Sequence, residues 1–250
     1  MVIVKSQNSP ALVDQDTAFN SSTLWHQEVT SSLEARLSDV GFPCVFSKRA
    51  FRKGIIKFLF VESMCNTGLC HLARGILEFV RLSSDWDGDL DKAHPLIVAF
   101  SSSCISGGSI DDYHRFGWSV LQRLHEYDQG EWPQDVARDG DNPMWSMCFG
   151  GMPLFFNMST PANKQRRSRN LGPNFIMVVN PRERFDIVAG DNPEGRKVRE
   201  TIRNRIGRYD GQAHAYQLGT YGENSHEWKQ YGLIDENKDI TGTCPFRFVK

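Results

Sequence analysis

The 250-residue sequence predicts a single α+β domain, with a mainly antiparallel or mixed sheet flanked by helices. Three observations carry this. Short apolar runs of strand length, such as IIKFLFV and LIVAF, alternate with amphipathic helical stretches along the whole chain. No linker divides two composition regimes, and no internal repeat is visible. At 40% hydrophobic residues the chain can bury one full core. Residues 1–20 read as a flexible polar segment and 21–250 as the domain.

Each element has a local reason. A helix is expected after Ser22, carrying Leu24, Trp25, Val29, Leu33 and Leu37 towards a stop at Gly41. Pro43 forces Phe42 to be extended in FPCVF, and a short helix is expected over 48–53. IIKFLFVE at 55–62 is a buried strand. A helix over 68–82 presents Leu69, Leu72, Ile76, Leu77 and Val80, followed by an acidic loop and the strand PLIVAF at 95–100. The clearest helix starts at Ser109, with Asp111 and Asp112 in its first turn where the dipole favours negative charge. It runs to Tyr127, and His114, Trp118 and His125 lie along one edge of its apolar face. After a Pro- and Asp-rich loop come the strand-like runs WSMCF, MPLFFNM and NFIMVVN, then a basic helix over 194–208.

Several function classes are excluded early. The six cysteines form no C-x-x-C pair and no disulfide framework. The N-terminal stretch has no signal-peptide pattern, and no run approaches the roughly 20 apolar residues of a membrane helix. The expectation is a cytoplasmic protein with reduced thiols and no membrane partner. Phosphate-loop, dinucleotide, zinc-protease and hydrolase motifs are missing. Cys65 and Cys70-His71 do not make the C-x-x-C-H of covalent heme attachment.

A net charge of -1 hides an asymmetry. Residues 164–208 hold twelve Lys/Arg against five Asp/Glu, a local excess of +7 that leaves the rest of the chain at -8. Within it, TPANKQRRSRN at 160–170 packs Lys164, Arg166, Arg167 and Arg169 between two strands, a place suited to ligand contact. The planar fork of Arg suits carboxylates or phosphates. Nucleic acid is not the expected partner, because no aromatic residues interleave the cations. For 196–208, a solvated helix face with salt bridges explains the charges equally well.

Taken in order, FPCVF, FGWSVLQRLHEYDQGEWP, NPMWSMCFGGMPLFF, TPANKQRRSRN, NPRERFDIVAG, IRNRIGRYDG, LGTYGENSHEWKQYG and CPF resemble the YqcI/YcgG family from residue 42 to 246. That family includes heme proteins of D-cycloserine and guanitoxin biosynthesis that hydroxylate a guanidine nitrogen with non-covalent heme. The resemblance implies an N-oxygenase using heme b on a small-molecule guanidine or amine, with the electron donor unspecified and a homodimer left open. The family pattern reads T-P-[AS]-H before the arginines, and here that place is Asn163, a poor iron ligand. His214 is the expected replacement ligand, then His125, with Cys44 and Cys244 behind them. Arg166, Arg167, Arg169 and Arg182 are expected to neutralise the propionates, with Asn163 and Trp118 against the cofactor. Trp145, Phe149, Phe155 and Phe156 either wall the macrocycle or are ordinary core. Glu126 and Asp128 are the expected catalytic carboxylates, with Glu227 and Asp210 as alternatives. The loss of the family His keeps a second reading open, a non-catalytic heme- or anion-binding or sensor protein.

Overall fold

The apolar runs form the centre of a six-stranded mixed sheet in a computed structural model that describes residues 10–219 and 225–249. The strands are β1 (Val13–Asp14), β2 (Lys57–Val61), β3 (Leu96–Phe100), β4 (Cys148–Phe149), β5 (Met152–Ser159) and β6 (Phe175–Pro181). Their order across the sheet is β1-β2-β3-β6-β5-β4. The helices are α1 (Gln15–Phe19), α2 (Leu24–Ser38), α3 (Val45–Arg52), α4 (Asn66–Ser83), α5 (Ile110–Tyr127), α6 (Arg182–Val188), α7 (Pro193–Asp210) and α8 (Trp228–Tyr231). Only β2 and β3 pair in parallel, with α4 as the crossover a parallel pair requires. The fold is α+β, as the alternation of runs predicts.

The central strands are continuous apolar runs because both faces of the sheet are covered. Leu59, Val61, Leu96, Val98, Phe100, Phe175, Met177 and Val179 pack with α4 and α5. Their neighbours Phe58, Phe60, Ile97, Ala99 and Ile176 pack with α1, α2, α3 and Tyr209 of α7. Each such side chain taken fully out of water contributes about 1.5–3 kcal/mol. Cys44 and Cys244, the thiols of FPC and CPF, belong to opposite faces of the sheet, and all six cysteines are free. Among the described residues no helix is long and apolar enough to cross a membrane.

Four local differences from expectation have clear causes. The part of residues 1–20 that the structure describes is not loose: the Ala11 and Leu12 amides donate to the Glu78 carboxylate at 2.9 and 3.0 Å, and Ala11 and Ala18 are buried. The short helix begins at Val45, not residue 48, because Cys44 caps it: its Sγ accepts from the Ser47 amide. WSMCF forms only a two-residue strand, joined to β5 through Gly150 and Gly151 at φ 58° and 78°. Two successive positive φ angles make the tight hairpin turn that matches strand twist. Helices α6 and α8, of 7 and 4 residues, are too short to show a helical period.

Gly75 sets how closely α4 lies on β2. A Cβ there would stand 2.6 Å from both Leu59 methyl carbons, in the fully buried core. Gly75→Val is expected to lower stability by about 1–3 kcal/mol, read as a lower denaturant midpoint with the slope unchanged.

Candidate functional site

TPANKQRRSRN folds into a turn, with Thr160, Asn163, Arg166 and Arg169 buried, that leads into a single 3-10 turn at Arg167–Arg169, between β5 and β6. Thr160 Oγ1 accepts from the Ala162 and Asn163 amides and donates to Asn163 Oδ1 at 3.0 Å. Asn163 Nδ2 then donates to Leu233 O at 3.0 Å and Asp235 Oδ1 at 3.1 Å. The amides of Lys164, Gln165 and Arg166 converge on the same Asp235 carboxylate at 2.8–3.0 Å. Burial works to raise the Asp235 pKa, but these donors outweigh it and hold the group below its usual range.

The arginines extend the same grip. Arg166, fully buried, donates from Nε to Ile234 O at 2.7 Å, and its Nη1 lies 3.8 Å from Asp210 Oδ2. Arg169 donates to Tyr231 O and Gln230 O at 3.1 and 3.0 Å. Burial, with Arg166 close by, lowers its pKa to about 9. Asp210 in turn accepts from the amide and hydroxyl of Ser168. The basic knot therefore ties the 230–235 stretch to the end of the sheet.

Just before that stretch lies Glu227, a carboxyl whose proton affinity is strongly raised. Glu227 Oε1 accepts from Ser146 Oγ and Tyr231 Oη, each at 2.7 Å, while Tyr231 Oη also accepts from the Met147 amide. Complete burial pushes the Glu227 pKa up to about 7; the two hydroxyls and Arg182 only partly oppose it. Trp118 stacks on Tyr231 with ring centroids 5.7 Å apart, and Phe155 meets the same ring edge-on at 5.2 Å. One turn earlier on α5, His114 lies against Gly232, where a Cβ would stand 2.8 Å from Nε2. Burial, then the nearby Arg169 charge, lowers the His114 pKa to about 4, so this imidazole is neutral at neutral pH. Its Nε2 has no hydrogen-bond partner.

The residues singled out from sequence are thus dispersed. Asn163, Arg166 and Arg169 meet on one segment, and Trp118 faces it through Tyr231. Arg167 points elsewhere, over the Tyr209 ring at 4.6 Å. Arg182 pairs with Asp186 at 2.8 Å, near Glu227. Glu126 is exposed and accepts from Gln122, while Asp128 holds the Gly130 and Gly150 amides as a loop tie. His214 is exposed. His125 is sealed among Trp132, Phe246 and Phe248, with Nε2 accepting from the Val249 amide. Trp145, Phe149 and Phe156 are core. The hub at Asp235 had no sequence signal. Glu227 and Tyr231 did have one, the i,i+4 spacing within EWKQY.

The YqcI/YcgG family model matches residues 33–247. The chain belongs to the YqcI/YcgG family. Over 244 residues it is 51% identical to DcsA of Streptomyces lavendulae, named provisionally as an N(omega)-hydroxy-L-arginine synthase. That match covers 98% of this chain and 92% of the relative. YcgG of Bacillus subtilis (strain 168), described as uncharacterized, is 34% identical over 84% of this chain and 82% of its own. YqcI of the same strain, likewise uncharacterized, is 29% identical over 90% and 89%. No solved structure matches the chain.

Membership in the family brings the heme expectation to these residues, and they divide over it. Arg169 gives its guanidinium to main-chain carbonyls and is a structural tie, whereas buried Arg166 donates only from Nε and leaves Nη1 and Nη2 without a hydrogen-bond partner. The Asn163 amide is used at both ends. His125 is enclosed, while His114, half-buried and without a hydrogen-bond partner at Nε2, lies against Gly232, which has no Cβ to crowd it. Two surface concavities, of about 380 and 360 Å³, are lined by residues of α2, α3, α7 and the knot, with no histidine or thiol among them.

Two outcomes follow for this site of the family fold. Asp235→Ala removes the acceptor of three amides and one of the two acceptors of Asn163 Nδ2, and is expected to cost about 2–3 kcal/mol in denaturant unfolding. Glu227 binds its proton more tightly in the folded chain than at its ordinary value of 4.5. Its contribution is therefore complete below about pH 4.5 and is lost as pH rises towards about 7, by on the order of 3 kcal/mol. Glu227→Gln stays neutral, so the difference in unfolding free energy between wild type and variant should shift in the variant's favour across that window. A difference that stays flat with pH would show that Glu227 titrates normally.

Proposed function

We propose that this protein N-hydroxylates a guanidine nitrogen of an arginine-like small molecule. The observation that carries this is the 51% identity, over 98% of the chain, with the relative provisionally named an N(omega)-hydroxy-L-arginine synthase. The chemistry sets its own requirements. Placing one atom of O2 into an N–H bond while reducing the other to water consumes two electrons and two protons. A redox centre and a reductant are therefore needed. Heme b is the centre that the family resemblance implies.

What the chain itself offers this reaction is a dry, aromatic-walled region with one proton-holding group. Glu227, at a pKa of about 7, takes up and releases a proton near neutrality at the oxygen shared by Ser146 and Tyr231. Trp118, Phe155 and Tyr231 exclude water around it. A second reading, binding without turnover, is favoured by the full commitment of the Asn163 amide to Thr160, Leu233 and Asp235 at the place where the family resemblance expects a histidine.

The test is incubation of the purified protein with L-arginine, O2 and a chemical reductant, with and without hemin, followed by mass spectrometry. The expected product is arginine carrying one added oxygen on the guanidine. A saturable Soret band with L-arginine and simple guanidines returned unchanged would overturn the catalytic reading and leave the binding one. Product formed equally without hemin would remove heme while leaving N-hydroxylation in place.

A further inference from the structure

The cation that the knot does not use points to a second site. Arg167 turns away from the 230–235 stretch and lines a surface concavity of about 360 Å³ with Asp39, Gly41, Arg205, Arg208 and Tyr209. Arg205 is committed, donating to Val40, Phe42 and Pro43 carbonyls. Arg167 and Arg208 are exposed, and among the described residues no carbonyl or carboxylate accepts from either guanidinium. The acid nearest in sequence, Asp210, is directed inward to Ser168 and Arg166, so it does not neutralise them. Tyr209, only 8% exposed, lines the same concavity, and its hydroxyl has no hydrogen-bond partner. Lys48 and Arg52 line the adjoining concavity of about 380 Å³, which shares Arg205 and adds to the positive field.

We propose that Arg167, Arg208 and Tyr209 form a binding site for an oxyanion, the carboxylate or phosphate group of a small molecule. Two guanidiniums and a phenol supply charge-assisted and neutral donors to such a group, and Arg forks match its planar or tetrahedral oxygens. Asp39, held by the Gly41 amide on the same rim, adds a selection. It disfavours a bare polyanion and favours a ligand with a donor beside its oxyanion, as in an α-amino acid or a protonated phosphate. The site is independent of the N-hydroxylation reading: binding here can be present while turnover is absent, and the reverse.

The probe is inorganic phosphate at neutral pH in low-salt buffer, followed by titration calorimetry on the full chain. Saturable binding is expected. Both Arg167→Gln and Arg208→Gln should weaken it about tenfold or more, and Tyr209→Phe by less, since it removes a neutral donor only. These side chains lie at the surface or keep their ring, so the variants should unfold at the wild-type temperature, checked by circular dichroism. L-Arginine and agmatine, which lacks the carboxylate, then identify the source of the anion. Displacement of phosphate by L-arginine but not agmatine makes the site a holder of the substrate's carboxylate. Displacement by neither makes it a site for a separate anion. No saturable phosphate binding by the wild type, or equal affinity in the Arg167→Gln/Arg208→Gln double variant, overturns the proposal.

Discussion

The Asp235 carboxylate sits within hydrogen-bond reach of three consecutive main-chain amides and the Asn163 side chain, and much of the molecule's far edge hangs on that contact. A chain segment with no long helix or strand of its own cannot hold position through regular hydrogen bonding. Residues 230–235 solve this by borrowing donors from the turn between β5 and β6. The anion orders the turn, the turn aims Arg166 and Arg169, and the two guanidiniums bind carbonyls at the end of α8 and just after it. Removal of any one partner leaves buried donors or acceptors unmet, which costs more than the bond itself contributes.

From this anchorage follows the environment of Glu227. Because α8 is pinned against β5, Tyr231 is pressed between Trp118 and Phe155, and the carboxyl below it is cut off from water. Desolvation then dominates its proton affinity, and a Glu that would be ionised at neutral pH becomes half-protonated there. His114 on the other side is moved the opposite way by the same cause, since burial disfavours whichever form bears charge. A half-ionised acid and a neutral base thus border the same short stretch of chain. Perturbed pairs of this kind cluster at functional sites more often than elsewhere.

The basic region divides into three parts with different work. Arg166 and Arg169 are internal fasteners, Arg205 fastens the turn after α2, and Arg167 with Arg208 remain available at the surface. In the sequence the three arginines of the knot look alike, as do the two of the basic helix. Arg spacing records only proximity along the chain, whereas the 3-10 turn at Arg167–Arg169 sends neighbouring guanidiniums in opposite directions. Likewise, the contact between Asn163 and Asp235 spans 72 residues, and no local pattern marks the partner.

The fold class, the three central strands and the long helices α2, α4, α5 and α7 were legible because each is driven by local rules. Apolar runs of strand length and the helical period state which side chains must leave water, and Ser109 with Asp112 caps α5 as its sequence suggests. Family membership was equally legible, since eight short motifs in fixed order leave little room for another origin. Three matters were decided by tertiary structure alone: that Asn163 and two arginines reach main-chain carbonyls, that burial raises the proton affinity of Glu227, and that His125 is enclosed. Each depends on desolvation and on partners distant in sequence. Both are properties of the packed chain, absent from any stretch of it read by itself.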